Sequence, residues 1–232
     1  MGVNVMPEVK KWAMDVRMSY EKTGMAKFIS HLDTVRCITR AMKRAGVPIW
    51  YTEGFNPHAF LTFAMPLSLG FESLCETVDF RLMEVVDLDE LKEKINSALP
   101  VDITVKAIAE PVFSASDICY ADYEIIFNNP DKLLLENAEK VLSADEILVE
   151  KKGKQGRKKV SKEVNIKEHI KKYALSQIDG KLKLEILVSA GPSMNINPML
   201  LVGALVKDTN TDEQDVDIIK LKSYTENMEE FK

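Results

Sequence analysis

The sequence predicts an α+β protein made of two tandem βαββαβ units with antiparallel sheets, the first unit carrying an extra strand. Three observations carry this. Short runs such as Val78, Phe80 and Leu82, or Leu182, Leu184, Ile186 and Val188, alternate apolar with polar residues, the period of a half-buried strand. Between them lie stretches with apolar residues three and four apart, opened by capping signals, the period of a helix packed on one face. The order of the two patterns then repeats in the second half. Each crossover helix has one apolar stripe that must cover one face of a four-stranded sheet, so the economical arrangement is ferredoxin-like. A single larger mixed sheet is the competing arrangement. Residues 1–14 read as an extension, 15–112 as the first unit and 113–232 as the second.

Taken in order, Val16 to Tyr20 alternates as a strand. Ser30 and Asp33 open a helix whose apolar stripe is Leu32, Val35, Ile38, Met42 and Ala45, and Gly46 with Pro48 ends it. Val47 to Tyr51 reads as the extra strand, Gly54 to His58 as a turn, and Phe60 to Met65 and Val78 to Leu82 as two more strands. Asp87 and Glu90 cap a second helix through Leu99, and Val101 to Val105 alternates after Pro100. In the second half a strand runs through Tyr123, Ile125 and Phe127. Asn129 and Pro130 then open a helix from Leu133 to Leu142. Ile147 to Val149 reads as a strand, 151–162 as a lysine-rich loop, and Asn165 with Glu168 as the start of a short helix. The long strand Leu182 to Val188, a helix opened by Asn197 and Pro198, and a strand through Val216, Ile218 and Leu221 complete the chain.

With 46% hydrophobic and 29% charged residues over 232, the chain can bury one sizeable core or two small ones. No apolar run is long enough to cross a membrane and no signal-peptide core is present, so the expected compartment is the cytoplasm, with no membrane partner. Cys37, Cys75 and Cys119 are odd in number and far apart, which argues against a disulfide framework and a Cys-rich metal or cluster site. The net charge of -5 opposes indiscriminate binding to nucleic acid, although an acidic total can hide a basic face. No P-loop, dinucleotide-binding GxGxxG, GxSxG elbow or CxxC pair occurs, so no cofactor is expected.

Two basic places stand out. On the helix after Ser30, Asp33, Arg36, Arg40, Lys43 and Arg44 fall within roughly a third of the circumference, away from the apolar stripe. This face is either a solvated surface with Asp33 paired to Arg36, or a phosphate or carboxylate track, to which the arginine fork is suited. The second is KKGKQGRKKVSK, with Lys151, Lys152, Lys154, Arg157, Lys158, Lys159 and Lys162. It is either solvated or a flexible phosphate-contacting arm; without aromatic residues its contacts would be sequence-blind, and base stacking would come from Phe55, Trp50 or Tyr51.

His31 falls on the apolar side of its helix, where a partly buried, hydrogen-bonded histidine is the plain reading. His58 ends GFNPH, a turn set by Gly54 and Pro57 that offers the Phe55 ring and the Asn56 carboxamide. Such a turn can simply join two strands, and it can also carry a site. If the fold gathers His31, Glu53 and His58, they form a general acid/base or anion site. Their spacing is not that of a metal centre.

The segment from Phe28 to Asp79 resembles the radical-SAM-linked family, a bacterial domain of unknown function. The shared pieces are SHLD, the RAxxRAGxP segment as Arg40 to Pro48, GFNPH, and PLxxG at Pro66 to Gly70. Later pieces are looser: Lys162 to Ile170 is similar to a basic loop followed by a VDIRP-like stretch, with Asn165, Lys167 and Glu168 in place of Asp, Arg and Pro, and Asn197 with Pro198 is similar to an RP pair without its arginine. The resemblance implies partnership with a cobalamin-binding radical-SAM protein, to which relatives are fused or beside which they are encoded, often near genes for ribonuclease G and ribosomal proteins. This chain's three cysteines could not hold that cluster themselves. The expected function is an accessory protein to a radical-SAM enzyme that binds RNA or presents an RNA-linked substrate, not an enzyme on its own. The alternatives are an RNA-processing or RNA-modifying enzyme using His31 and His58 as acid and base, and a protein-only adaptor.

Overall fold

Val16, Met18 and Tyr20 are buried along one side of the first strand, β1 (Met14–Lys22), as their alternation requires. The computed structural model describes residues 11–155, 158–192 and 194–232, and for 152–160 the backbone alone, so the first ten residues of the expected extension lie outside the described residues. Two units are distinguished: Met1–Leu69 with Glu76–Phe113 and Lys232, and Gly70–Cys75 with Ser114–Phe231. The fold is mixed α+β, with mostly antiparallel strand pairing and four α-helices among the described residues.

In the first unit β1 is followed by α1 (His31–Arg44), β2 (Leu61–Phe63), β3 (Glu72–Leu82), α2 (Leu88–Ala98) and β4 (Ile103–Ala109). The strand order is β4-β1-β3, with β2 on the far side of β3. β1 pairs antiparallel with β4 (Met18↔Ile108), and β2 with β3 (Leu61↔Phe80). Ile38 and Met42 of α1, and Leu91 and Ile95 of α2, close on Met18, Tyr20, Val78 and Phe80 in one core. Each such side chain contributes about 2 kcal/mol by leaving water. Leu32 does not join the stripe: it is 66% exposed, and Thr34 and Ala41 are buried instead.

The expected strand over 47–51 does not form, so the first unit has no extra strand. Ile49 and Tyr51 make only isolated bridges, to Leu82 and Ala59, and Pro48, just before Ile49, has no N–H with which to extend a ladder. Val101 is exposed, and β4 begins two residues later than its alternation suggests. β3 begins well before Val78, and its early part is hidden in the sequence because the buried Ser73 and Glu76 break the apolar alternation.

In the second unit β5 (Tyr120–Phe127), α3 (Leu134–Ser143), β6 (Leu148–Gln155), β7 (Lys158–Asn165), β8 (Ile170–Ile178), β9 (Lys181–Ser189), α4 (Pro198–Val206) and β10 (Val216–Tyr224) follow in order. The main sheet runs β10-β5-β9-β8, all neighbours antiparallel, and the start of β3 adds a short parallel pairing to β10 (Ile219↔Glu72). Ile125, Phe127, Leu184 and Ile186 of the strands are buried, as are Leu134 and Ala138 of α3 and Leu201 and Leu205 of α4. Asn197 caps α4 by accepting from Met199 N–H at 3.0 Å, with Pro198 in the first turn. α3 starts a turn after the expected Asn129–Pro130 cap, with Leu133 before it and no side-chain cap.

The lysine-rich segment is not a loop but paired strands: β6 and β7 form their own two-stranded antiparallel sheet, from Leu148↔Asn165 to Gln155↔Lys158. The short helix expected at Asn165 is a 3₁₀ turn (Lys167–His169), and the Asn165 side chain accepts from Lys167 and Ile147 N–H instead. β8 was not expected at all. It is an edge strand with no buried residue, so it lacks the apolar alternation of a half-buried strand.

The Tyr224 hydroxyl donates to Asp122 Oδ2 at 2.8 Å across the β5–β10 pair. Its pKa is pushed up to about 12, by burial first and then by the Asp122 carboxylate. Because the folded value lies above the ordinary 10.0, the stability that the neutral phenol contributes is full below pH 10.0 and is lost as pH rises through about 12. A phenolate absorbance titration of Tyr224→Phe is expected to show one fewer late ionisation than wild type, with a smaller loss of stability over that window.

Candidate functional site

α1 carries the candidate surface, and its two ends explain why it is well defined. At the N-terminus Ser30 Oγ accepts from Asp33 N–H at 3.2 Å and donates to Asp33 Oδ2 at 2.7 Å. At the C-terminus Gly46 takes φ +67°, and Val47 N–H returns to the Met42 carbonyl at 3.0 Å, closing the last turn. With Thr34, Ile38, Ala41 and Met42 buried, the helical period leaves Arg36, Arg40, Lys43 and Arg44 exposed.

These cations are not equivalent. Arg36 is committed to Asp33 at 2.9 Å, an exposed i,i+3 pair. That contact, after the Ser30 hydrogen bond, holds the Asp33 carboxyl below the usual range. Arg44 donates to the Ala98 carbonyl at 2.6 Å, satisfying the C-terminal end of α2 and meeting its dipole. Arg40 and Lys43 have no ion-pair or hydrogen-bond partner among the described residues. A shallow hollow of ≈ 270 Å³ lies along this row, lined by Asp33, Arg36, Cys37, Arg40 and Arg44. Burial pushes the Cys37 thiol up, against the opposing pull of Arg44 and Arg40, so it is a half-buried neutral filler of the hollow rather than a thiolate.

The other expected site residues have separate partners. His31 packs edge-on against Phe63, ring centroids 5.2 Å apart. Glu53 is ion-paired to Lys11 at 2.7 Å. His58 Nδ1 lies 3.0 Å from Thr52 Oγ1 and 3.1 Å from the Asn56 carbonyl. Among the described residues no hydrogen bond or ion pair links His31, Glu53 and His58 to one another. Phe55 and Asn56 sit at the exposed end of the same turn, while Trp50 is taken up by Trp12 and Phe60 at 5.3 and 5.7 Å.

On the ribbon, Lys151 is exposed and stands opposite Lys162, and the backbone register sets Lys154 opposite Lys159. Arg157 and the side chains of Lys152, Lys154, Lys158 and Lys159 lie outside the described residues. A second hollow, of ≈ 120 Å³, lies in the second unit on Asp122, Lys172, Glu185 and Leu187 among others. Its acids are already engaged, Asp122 by Tyr224 and Glu185 by Lys183 at 2.9 Å. No group of three or more His, Cys, Asp or Glu able to hold a metal ion occurs among the described residues, and no described helix is long and apolar enough to cross a membrane. Sequence reasoning missed the pair of buried Arg17 with half-buried Asp79 and the stack of Trp12, Trp50 and Phe60 on Arg81, because their members lie far apart in the chain.

Among solved structures, a chain of a crystal structure of a Cbf5-Nop10-Gar1 complex is similar over 95% of this chain, with 7% identity and a TM-score of 0.48; this chain spans 55% of its length. An unknown protein from Galdieria sulphuraria is similar over 89% of this chain and 98% of its own, with 10% identity and a TM-score of 0.26. Among curated proteins none matches. A family model described as "Uncharacterized protein conserved in bacteria (DUF2344)" matches residues 16–198, and the chain belongs to that family.

Proposed function

We propose that this protein is an RNA-binding accessory subunit, acting in the cytoplasm beside a radical-SAM enzyme, and that the outer face of α1 grips the phosphate backbone. The observation that carries the reading is the pair Arg40 and Lys43: two exposed cations on one helical face, without a protein counter-charge among the described residues, on a chain of net charge -5. On an acidic protein, solvated cations need only be scattered. Here Arg40 lines a hollow flanked by the Arg36 and Arg44 guanidiniums, with Lys43 exposed on the same helix, an arrangement suited to a row of phosphates. The β6–β7 ribbon supplies a second contact. It has seven Lys and Arg and no carboxylate from Lys151 to Lys162, and like charges directly opposite one another are destabilising in the absence of an anion. The radical-SAM partner is supported by the resemblance of Phe28 to Asp79 to the radical-SAM-linked family. The strand orders β4-β1-β3-β2 and β10-β5-β9-β8 support reading each unit as ferredoxin-like.

The test is a binding titration against a short single-stranded RNA at low salt. Wild type is expected to bind, and Arg40→Ala with Lys43→Ala to bind about tenfold more weakly or worse. These two positions are the clean probes: Arg36→Ala releases Asp33, and Arg44→Ala uncaps α2, so both would confound charge with structure. Equal affinity of wild type and variant would reject the helix as the phosphate-binding surface.

A further inference from the structure

We infer that the turn from Thr52 to His58 is a base-stacking finger, with Phe55 placed to stack on an unpaired nucleobase; this rests on the RNA reading above. The turn is restrained at every level except its tip. At the root, Trp50 N–H donates to the Arg81 carbonyl and Phe60 N–H to the Trp50 carbonyl. The Arg81 guanidinium lies 3.5 Å from the Trp12 ring centroid and 4.1 Å from that of Phe60, and its Nε donates to Asp15 at 3.2 Å. One step out, Tyr51 and Ala59 form a bridge, and Thr52 N–H donates to the His58 carbonyl at 2.8 Å. In the middle, Thr52 Oγ1 accepts from His58 N–H at 3.2 Å and contacts the His58 ring, whose Nδ1 also reaches the Asn56 carbonyl. Lys11 holds Glu53 on the flank. Beyond these ties Gly54 turns the chain with φ +123°, and Phe55 stands in solvent at 105% relative exposure.

Ordering a turn costs conformational entropy, and a turn that needed only to join two segments would gain nothing by holding an aromatic ring away from every neighbour. The restraints therefore serve presentation. A phenyl ring has no hydrogen-bonding group, so it recognises a flat apolar face, and every nucleobase has one. Beside it the exposed Asn56 carboxamide, without a partner among the described residues, offers one acceptor and two donors for a base edge. The same unit carries the cationic face of α1, so the phosphate grip and the stacking ring divide the two chemistries of a single strand between them.

The experiment compares wild type, Phe55→Ala and Phe55→Trp for a 12-nucleotide single-stranded RNA, the same RNA paired to its complement, and inorganic polyphosphate. Phe55→Ala is expected to weaken single-strand binding by about tenfold or more. Its affinity for polyphosphate and its salt dependence should stay unchanged, with Phe55→Trp restoring wild-type binding. Because the ring is fully exposed among the described residues, the alanine variant should melt with wild type, so a failure to fold does not obscure the result. Unchanged single-strand affinity in Phe55→Ala overturns the finger. If Arg40→Ala with Lys43→Ala weakens RNA binding in that case, the phosphate reading stands and the stacking inference alone falls. If wild type binds neither RNA nor polyphosphate, both fall.

Discussion

Replacing Asp79 by alanine is expected to destabilise the first unit by about 3 kcal/mol, the low end of the cost of leaving a buried charge without its partner. Arg17 projects from β1 with a side chain only 2% exposed, and its guanidinium is held in two places by the Asp79 carboxylate, at 2.6 and 2.8 Å. It also donates to the Phe113 carbonyl at 2.9 Å. Without Asp79 a desolvated cation loses the carboxylate that holds it in two places. Replacing both residues, Arg17→Met with Asp79→Val, should recover much of the loss, since the cost lies in orphaning the charge more than in losing the pair. Urea denaturation of the three variants checks this, and an Asp79→Ala midpoint equal to that of wild type would show that water reaches Arg17.

Gly191→Ala is expected to cost at least about 3 kcal/mol in the second unit. Gly191 sits after β9 at φ +136°, a conformation that side chains rarely adopt, and a β-carbon there would lie 2.0 Å from the Ile118 carbonyl oxygen. That contact is with backbone, so relief requires moving the strand ends that meet there, where Ala190 N–H bonds the Cys119 carbonyl and Cys119 N–H that of Tyr224. Thermal unfolding reads the effect. Gly46→Ala is the contrasting variant: its φ is also positive, at +67°, but it has open space around it, so only conformational strain should register.

The sequence made legible whatever depended on one period and one face. β9 and the Asn197–Pro198 start of α4 form where their pattern puts them, and α1 forms after its Ser30 cap although Leu32 stays outside its buried stripe. β8 escaped because an edge strand buries too little to alternate, yet a signal for it was present. Asp179 and Gly180 both take positive φ in a two-residue turn with Ile178 paired to Lys181, and an Asp-Gly step of this kind marks a hairpin. The ribbon escaped for a similar reason: seven Lys and Arg between Lys151 and Lys162 leave no hydrophobic period in the sequence to announce it. Arg17 reads as a solvent-facing residue between Val16 and Met18, and only the approach of Asp79, 62 residues on, makes its burial possible.

For the candidate surface, the cationic face of α1 was legible as a helical stripe, but the division of labour within it was not. That Arg44 serves α2, that Arg36 serves Asp33 and that Arg40 and Lys43 serve neither depends on which carbonyls and carboxylates the fold brings within reach. The same holds for the aromatic residues. Trp50, Tyr51 and Phe55 are equal candidates in the sequence, and packing consumes Trp50 while leaving Phe55 exposed.

The salt dependence of RNA binding tests the role of α1 most directly. Wild type should lose affinity linearly in log–log terms as salt rises, and Arg40→Ala with Lys43→Ala should show a slope shallower by about 1.4, the release of two fewer counterions on a single strand. Parallel lines for the two proteins, or no binding even at low salt, would contradict a phosphate-binding role for this helix.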